Sequence, residues 1–147
     1  MNTPLIRPAQ LHDANDIFSL LTQFAMSYQP DRATFEAHFP QLLQSEHATL
    51  LVAVTNEQVV GYLLSFELLT LYANGPIMEL QELMVDPQQR SQGLGRALVE
   101  AAIEQATAKH CVEVVVPTRR AKDYYVKLGF IETASYFKRK LVSGKLP

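Results

Sequence analysis

The run Asp86-Pro87-Gln88-Gln89-Arg90-Ser91-Gln92-Gly93-Leu94-Gly95-Arg96 carries the residue types that hold an anion. It lies between a strand-like stretch, Ile77–Val85, and a stretch with Leu94, Leu98, Ala101, Ala102 and Gln105 at helical spacing. A loop that opens directly into a helix points unpaired backbone N–H groups outward at the positive end of the helix dipole, which suits a phosphate or pyrophosphate. Gly93 and Gly95 let the backbone approach such a ligand closely, because no Cβ intervenes. Arg90 and Arg96 add fixed charge and hydrogen-bond donors on either side.

Two familiar phosphate loops fit poorly. No Gly-x-x-x-x-Gly-Lys-Ser/Thr run exists, and the third glycine of a Gly-x-Gly-x-x-Gly dinucleotide loop is replaced by Leu98. What remains is Arg-x-x-Gly-x-Gly, read at Arg90, Gly93 and Gly95 after a strand ending in Val85-Asp86-Pro87. This resembles the acetyl-CoA signature of the GNAT superfamily of N-acetyltransferases. A second run, Ala121-Lys122-Asp123-Tyr124-Tyr125-Val126-Lys127-Leu128-Gly129-Phe130, is similar to the family's Ala-x-x-x-Tyr-x-x-x-Gly-Phe segment. The resemblance is strongest over Ile77–Phe130.

The resemblance implies a cofactor, acetyl-CoA, and a set of site residues. Arg90, Ser91, Gln92, Gly93, Leu94, Gly95 and Arg96 would cradle the pyrophosphate, and backbone groups of Leu83, Met84 and Val85 would pair with pantetheine, an N–H near Leu83 polarising the thioester carbonyl. Tyr125 falls where many members place the general acid, and its phenol could donate to the departing thiolate or only hydrogen-bond the sulfur. Many members carry Asn where this chain has Thr118, which offers one hydroxyl in place of an amide. Arg119, Arg120 and Lys122 form a basic cluster beside it, open to adenosine phosphates or to solvent.

Acetyl transfer to an amine needs the amine neutral, and an alkyl ammonium has a pKa near 10, so a base is required. Glu79 and Glu82 are the carboxylates on the strand bordering the implied cleft. Alternation puts residues three apart on opposite faces unless a bulge intervenes. Glu82 is favoured because it directly precedes the backbone expected to meet the acetyl group. In the family, the first two helices and a hairpin loop shape the acceptor pocket, here Phe24–Phe39 and Leu69–Pro76. Those segments supply Tyr28, Phe35, His38, Phe39 and Tyr72, an aromatic set that suits a small apolar or aromatic amine or is simply core. The acceptor, a small-molecule or peptide amine, stays open among protein N-termini, lysine side chains, amino acids and aminoglycoside-like amines.

The elements that must position these groups follow the order β-α-α-β-β-β-α-β-α-β-β. Leu5–Pro8 reads as a first strand, and Asp13 can cap a helix with Ile17, Leu20, Leu21 and Phe24 on one face. A second helix runs past Phe35, Phe39 and Leu43, kinked or broken near Pro40. Ala48–Thr55 and Val59–Leu69 form a hairpin, and Asn74-Gly75 turns into Ile77–Val85. The Gly93–Lys109 helix, the strand Val112–Pro117, the helix Ala121–Leu128 and terminal strands within Phe130–Leu141 complete the chain, with a frayed tail at Val142–Pro147. The order fits an α/β (α+β) GNAT-like fold: a mixed, mainly antiparallel sheet flanked by helices on both faces, its fourth and fifth strands splayed.

Bulk properties agree with one domain over residues 1–147, able to bury roughly 70% of its unfolded surface. An apolar share of 48% and a charged share of 19% are those of a globular protein. A net charge of −2 argues against nucleic-acid binding. No run of 18 apolar residues and no charged-plus-apolar leader is present, so the expectation is a cytoplasmic protein without a membrane partner. Cys111 is the only cysteine, expected as a small buried side chain, and the four histidines lack metal-ligand spacing, so no metal is expected. Dimerisation is common in the family, but no interface is legible here. Two functions follow: an acetyl-CoA-dependent N-acetyltransferase acting on a primary amine, or a coenzyme A-binding module that senses acyl-CoA or regulates a partner without turnover.

Overall fold

A five-stranded sheet in the order β1-β2-β3-β4-β5 organises the molecule. The structure is a computed structural model and describes residues 3–24, 27–90 and 92–142. The strands are β1 (Leu5–Pro8), β2 (Ala48–Thr55), β3 (Gln58–Leu69), β4 (Pro76–Val85) and β5 (Val114–Val115). The helices are α1 (Ala14–Gln23), α2 (Arg32–Gln44), α3 (Leu94–Ala108) and α4 (Lys122–Lys127). β1 to β4 pair antiparallel, and β4 pairs with β5 in parallel.

β2 and β3 meet at a two-residue turn in which Asn56 and Glu57 take φ of 53° and 63°, the left-handed conformation that matches strand twist. Alternation along the strands then feeds two cores. Leu51, Ala53, Leu63 and Leu80 face α3, where they bury Leu94, Leu98, Val99 and Ala102. Leu98 and Val99 have no exposed surface, and each such burial contributes about 1.5–3 kcal/mol. Leu50, Val52, Tyr62 and Leu64 face the other way and bury Ile17, Leu20 and Phe39 of α1 and α2. Helices therefore cover both faces, as expected.

Several local expectations change. Asp13 does not cap α1: its carboxylate accepts from Arg7 at 2.8 and 2.9 Å and from the Gln10 N–H at 2.7 Å, tying β1 to the turn before the helix. α2 continues through Pro40 without a break, since Phe39, Leu42 and Leu43 on its inner face hold the last turns in place. Cys111 is only half-buried. The expected strand Val112–Pro117 shrinks to Val114–Val115, and the terminal strands within Phe130–Leu141 do not form; residues 131–141 have no regular structure. Their residue types favour strands, but strand preference describes a pleated surface half-buried against neighbours. Here Ile131, Tyr136, Phe137 and Leu141 are exposed, and the segment pairs with no strand.

Candidate active site

The decisive local feature is a bulge in β4. Leu64 of β3 pairs with Glu82 while Ser65 pairs with Leu80, which leaves Gln81 as an extra residue on β4. The insertion resets alternation. Leu80 and Leu83 both pack toward α3 although they are three apart, and Glu79 and Glu82, opposite Phe66 and Leu64, share the α1/α2 face. The two carboxylates are then used differently. Glu79 accepts a hydrogen bond from the Gln81 side chain and borders a recess lined by Val114–Val116 and Tyr125. Glu82 enters a cavity of about 450 Å³ between the sheet and α1/α2.

At the floor of that cavity the Tyr62 hydroxyl donates to Glu82 Oε1 at 2.7 Å. Tyr62 is 2% exposed, and its phenol is pushed far above its ordinary value by burial first and by the Glu82 charge second. It stays protonated and so keeps the hydrogen it donates to Glu82. This residue was not singled out from the sequence; the signal lies in the β3–β4 register, which sets Tyr62 beside Met84 and Leu64 beside Glu82. Phe35 and Phe39 of α2 line the cavity with rings stacked at 5.1 Å, and His38 joins them. Tyr72 does not: it is fully exposed, and no residue of 69–76 lines the cavity. Tyr28 is 54% exposed, with Lys140 Nζ 4.5 Å from its ring centroid.

One residue beyond Glu82, the backbone opens to the other side. β5 pairs only with Met78 and Glu79, so β4 beyond that point has a free edge. The Asp86 N–H bonds the Val60 carbonyl at 2.8 Å, and alternation from that pair turns Met84 toward β3 and Leu83 and Val85 toward the free edge. The splay of β4 and β5 thus exposes backbone donors and acceptors where the resemblance requires them.

The glycine loop meets this edge. Gly93 takes φ 77° as the residue before α3, a conformation glycine adopts without cost, and a Cβ there would touch nothing within 4 Å. The ladder of α3 begins with Ala97 N–H on the Gly93 carbonyl at 2.9 Å, so the N–H groups of Leu94, Gly95 and Arg96 lie ahead of it. Gln92, Arg90 and Arg96 are exposed around them, with the Arg90 guanidinium 5.3 Å from the Phe24 ring centroid. Ser91 lies outside the described residues. These donors fit a pyrophosphate.

Tyr125 is buried in the α3-side core, edge-on to Phe130 at 5.5 Å, and burial, with Tyr124 beside it, pushes its phenol up to about 12. Its neighbour, not anticipated for this role, reaches the loop: the Tyr124 hydroxyl stands 2.5 Å from where a Cβ on Gly95 would lie. Burial raises the Tyr124 phenol, and the Arg96 charge opposes that rise. A Cβ at Gly95 would therefore displace the Tyr124 hydroxyl. Thr118 Oγ1 accepts the Ala121 N–H at 3.0 Å, so its hydroxyl closes the turn into α4. Lys122 pairs with Glu132 at 3.0 Å on the surface, and Arg119 and Arg120 are exposed. Among the described residues no His, Cys, Asp or Glu cluster has metal-site geometry, and no helix is long and apolar enough to cross a membrane.

Residues 14–130 match the Acetyltransferase (GNAT) family. The chain belongs to this family. It is 29% identical over 133 residues to glucosamine 6-phosphate N-acetyltransferase 1 of Oryza sativa subsp. japonica, covering 86% of this chain and 81% of that protein. Among solved structures, a transcriptional regulator from Bacillus halodurans C-125 aligns with TM-score 0.87 at 23% identity, covering 95% of this chain and all of the other. The glucosamine-6-phosphate N-acetyltransferase of Arabidopsis thaliana aligns with TM-score 0.84 at 18% identity, covering 96% of this chain and all of that one. Both structural likenesses show the shared GNAT fold, and family membership makes this protein an N-acetyltransferase.

Proposed function

We propose that this GNAT protein transfers an acetyl group from acetyl-CoA to a primary amine by direct attack. The reading is carried by the β4 bulge, which turns the Glu82 carboxyl into the cavity while the next residue, Leu83, faces the free edge. Bound acetyl-CoA supplies the reactive thioester. The N–H groups of Leu94, Gly95 and Arg96, with the Arg90 and Arg96 side chains, Gln92 and Gly93, hold its pyrophosphate, and Ser91 is assigned there by resemblance. Leu83, Met84 and Val85 supply the strand that pantetheine follows. The Leu83 N–H polarises the carbonyl as negative charge develops on its oxygen. With Oε1 held by Tyr62, Glu82 Oε2 takes the proton from the entering ammonium.

Tyr125 serves the leaving sulfur, and Thr118 completes that wall. A phenol near 12 keeps its proton across the working range. Giving that proton outright to a thiolate of ordinary pKa, about 8.5, is uphill by about 5 kcal/mol, whereas a hydrogen bond held to the sulfur carries no such cost. The test is a pair of variants. Glu82→Gln preserves shape, and its amide oxygen still accepts from Tyr62, so kcat/KM should fall by about 10²–10³ while acetyl-CoA affinity holds. Tyr125→Phe should lower turnover about tenfold, again at constant affinity. Unaltered turnover in Glu82→Gln removes Glu82 as base. If acetyl-CoA at about 100 times Kd fails to stabilise the fold by about 2.7 kcal/mol, the cofactor assignment is wrong.

A further inference from the structure

The Glu82 cavity has a chemical bias that the family assignment leaves open. Its larger wall is apolar: Ile17, Leu21, Phe35, Phe39, Leu50 and Leu64 face one another across about 450 Å³, with Gln29, Thr34, His38 and Tyr62 as polar neighbours in the lining. Among the described residues, the side chains of fixed charge in its lining are acidic, Asp31 and Glu82, and no lysine or arginine lines it. Asp31 sits at the start of α2, where its Oδ2 accepts the Thr34 N–H at 2.9 Å and the Thr34 hydroxyl at 2.7 Å. Those two bonds lower its pKa and keep it ionised.

Cations on neighbouring segments are engaged outside the lining. Arg32 donates to Glu36 at 2.9 Å and to Asn15 at 2.6 Å, with its guanidinium 5.1 Å from the Phe18 ring centroid and 5.9 Å from that of Phe35. Lys138 and Lys140 stand over Tyr28. A phosphate placed in the cavity would therefore meet carboxylates with no lysine or arginine among the described lining residues to offset them, and the apolar wall would strip its water. An ammonium on an apolar body meets the opposite situation: its charge faces Glu82 and its carbon skeleton lies along the stacked Phe35 and Phe39 rings.

We propose that the acceptor is a primary amine carried on an aromatic or branched aliphatic body without phosphate, unlike the phosphosugar in the name of the rice relative. The inference rests on Glu82 marking the acceptor end of the site. The test uses 2-phenylethylamine and glucosamine 6-phosphate as probes. Binding is measured by calorimetry in the presence of coenzyme A, and turnover by thiol release from acetyl-CoA. We expect 2-phenylethylamine to bind at least 100-fold more tightly and to be acetylated with kcat/KM at least 100-fold higher. Phe35→Ala should raise KM for 2-phenylethylamine by about 10- to 100-fold and leave acetyl-CoA affinity unchanged. Binding of 2-phenylethylamine without acetylation would uphold the cavity's preference for an apolar amine and overturn the transfer reading. Preference for glucosamine 6-phosphate, or binding of neither amine, would overturn the acceptor class, whatever acetyl-CoA does.

Discussion

Replacing Tyr62 with Phe deletes one oxygen from a buried residue and leaves its ring in place, which makes it a clean probe of the Glu82 site. In the native chain that oxygen donates to Glu82 Oε1 at 2.7 Å. A hydrogen bond to a charged group is worth about 1.5–3 kcal/mol net. Glu82 is half-buried and its cavity is open, so water can replace part of the bond, and a loss of about 1–2 kcal/mol is expected. In a chain of 147 residues that lowers Tm by about 3–6 °C. The kinetic consequence should be a fall in kcat/KM of about tenfold, because the base is no longer held in one orientation. Steady-state rates and a thermal melt measure both effects. In a Glu82→Gln background the same change should add little to the rate defect, since the two groups act as a unit. A Tm loss with unchanged kcat/KM would mean that Tyr62 is only a core residue, and the positioning role would be refuted.

Two further predictions concern other parts of the scaffold. Gly95→Ala puts a Cβ 2.5 Å from the Tyr124 hydroxyl but 3.5 Å from its Cζ, so the variant should weaken acetyl-CoA binding by about tenfold or more, and adding Tyr124→Phe should restore most of it. Calorimetric titration decides this; failure of the double variant to recover would place the clash elsewhere. Asp13 governs acid stability: burial pushes its pKa up, but the Arg7 hydrogen bond and the Gln10 N–H together outweigh burial and leave it below the ordinary value. A depressed folded pKa contributes stability that is present above about pH 4 and is lost as pH falls through the folded value. Arg7→Gln should therefore cost about 2–3 kcal/mol at neutral pH, and the gap from the native chain should narrow as urea midpoints are followed below about pH 4. A gap independent of pH would show that Arg7 acts by packing alone.

What the sequence revealed divides along the range of the interactions involved. Gly93, Gly95, Arg90 and Arg96 announce an anion site because the loop and the first turn of α3 are local, and their chemistry needs no distant partner. The strands and helices that flank it are legible for the same reason. The terminal strands failed because a strand is stabilised by its neighbours, and residues 131–141 have none. The two-residue β5 follows the same logic, since beyond Glu79 it has left β4 and no other strand adjoins it.

The base illustrates the boundary most sharply. Glu79 and Glu82 are visible in the chain, yet which face each takes depends on Gln81 having no partner on β3, and that is a property of two strands in register. Tyr62, 20 residues before Glu82, becomes its partner only through that register. The same one-residue insertion does two jobs. It turns the Glu82 carboxyl toward α1 and α2, and it shifts the following alternation so that Leu83 and Val85, rather than Met84, present their backbone to the free edge. Without the bulge, a carboxylate at position 82 would point into the α3-side core, where an unpaired charge is costly. The acidic residue and the extra residue therefore make structural sense together, and a variant that deletes Gln81, which leaves Leu80 opposite Ser65 and Glu82 opposite Leu64 in a regular ladder, should keep the Glu82 carboxyl on the α1/α2 face.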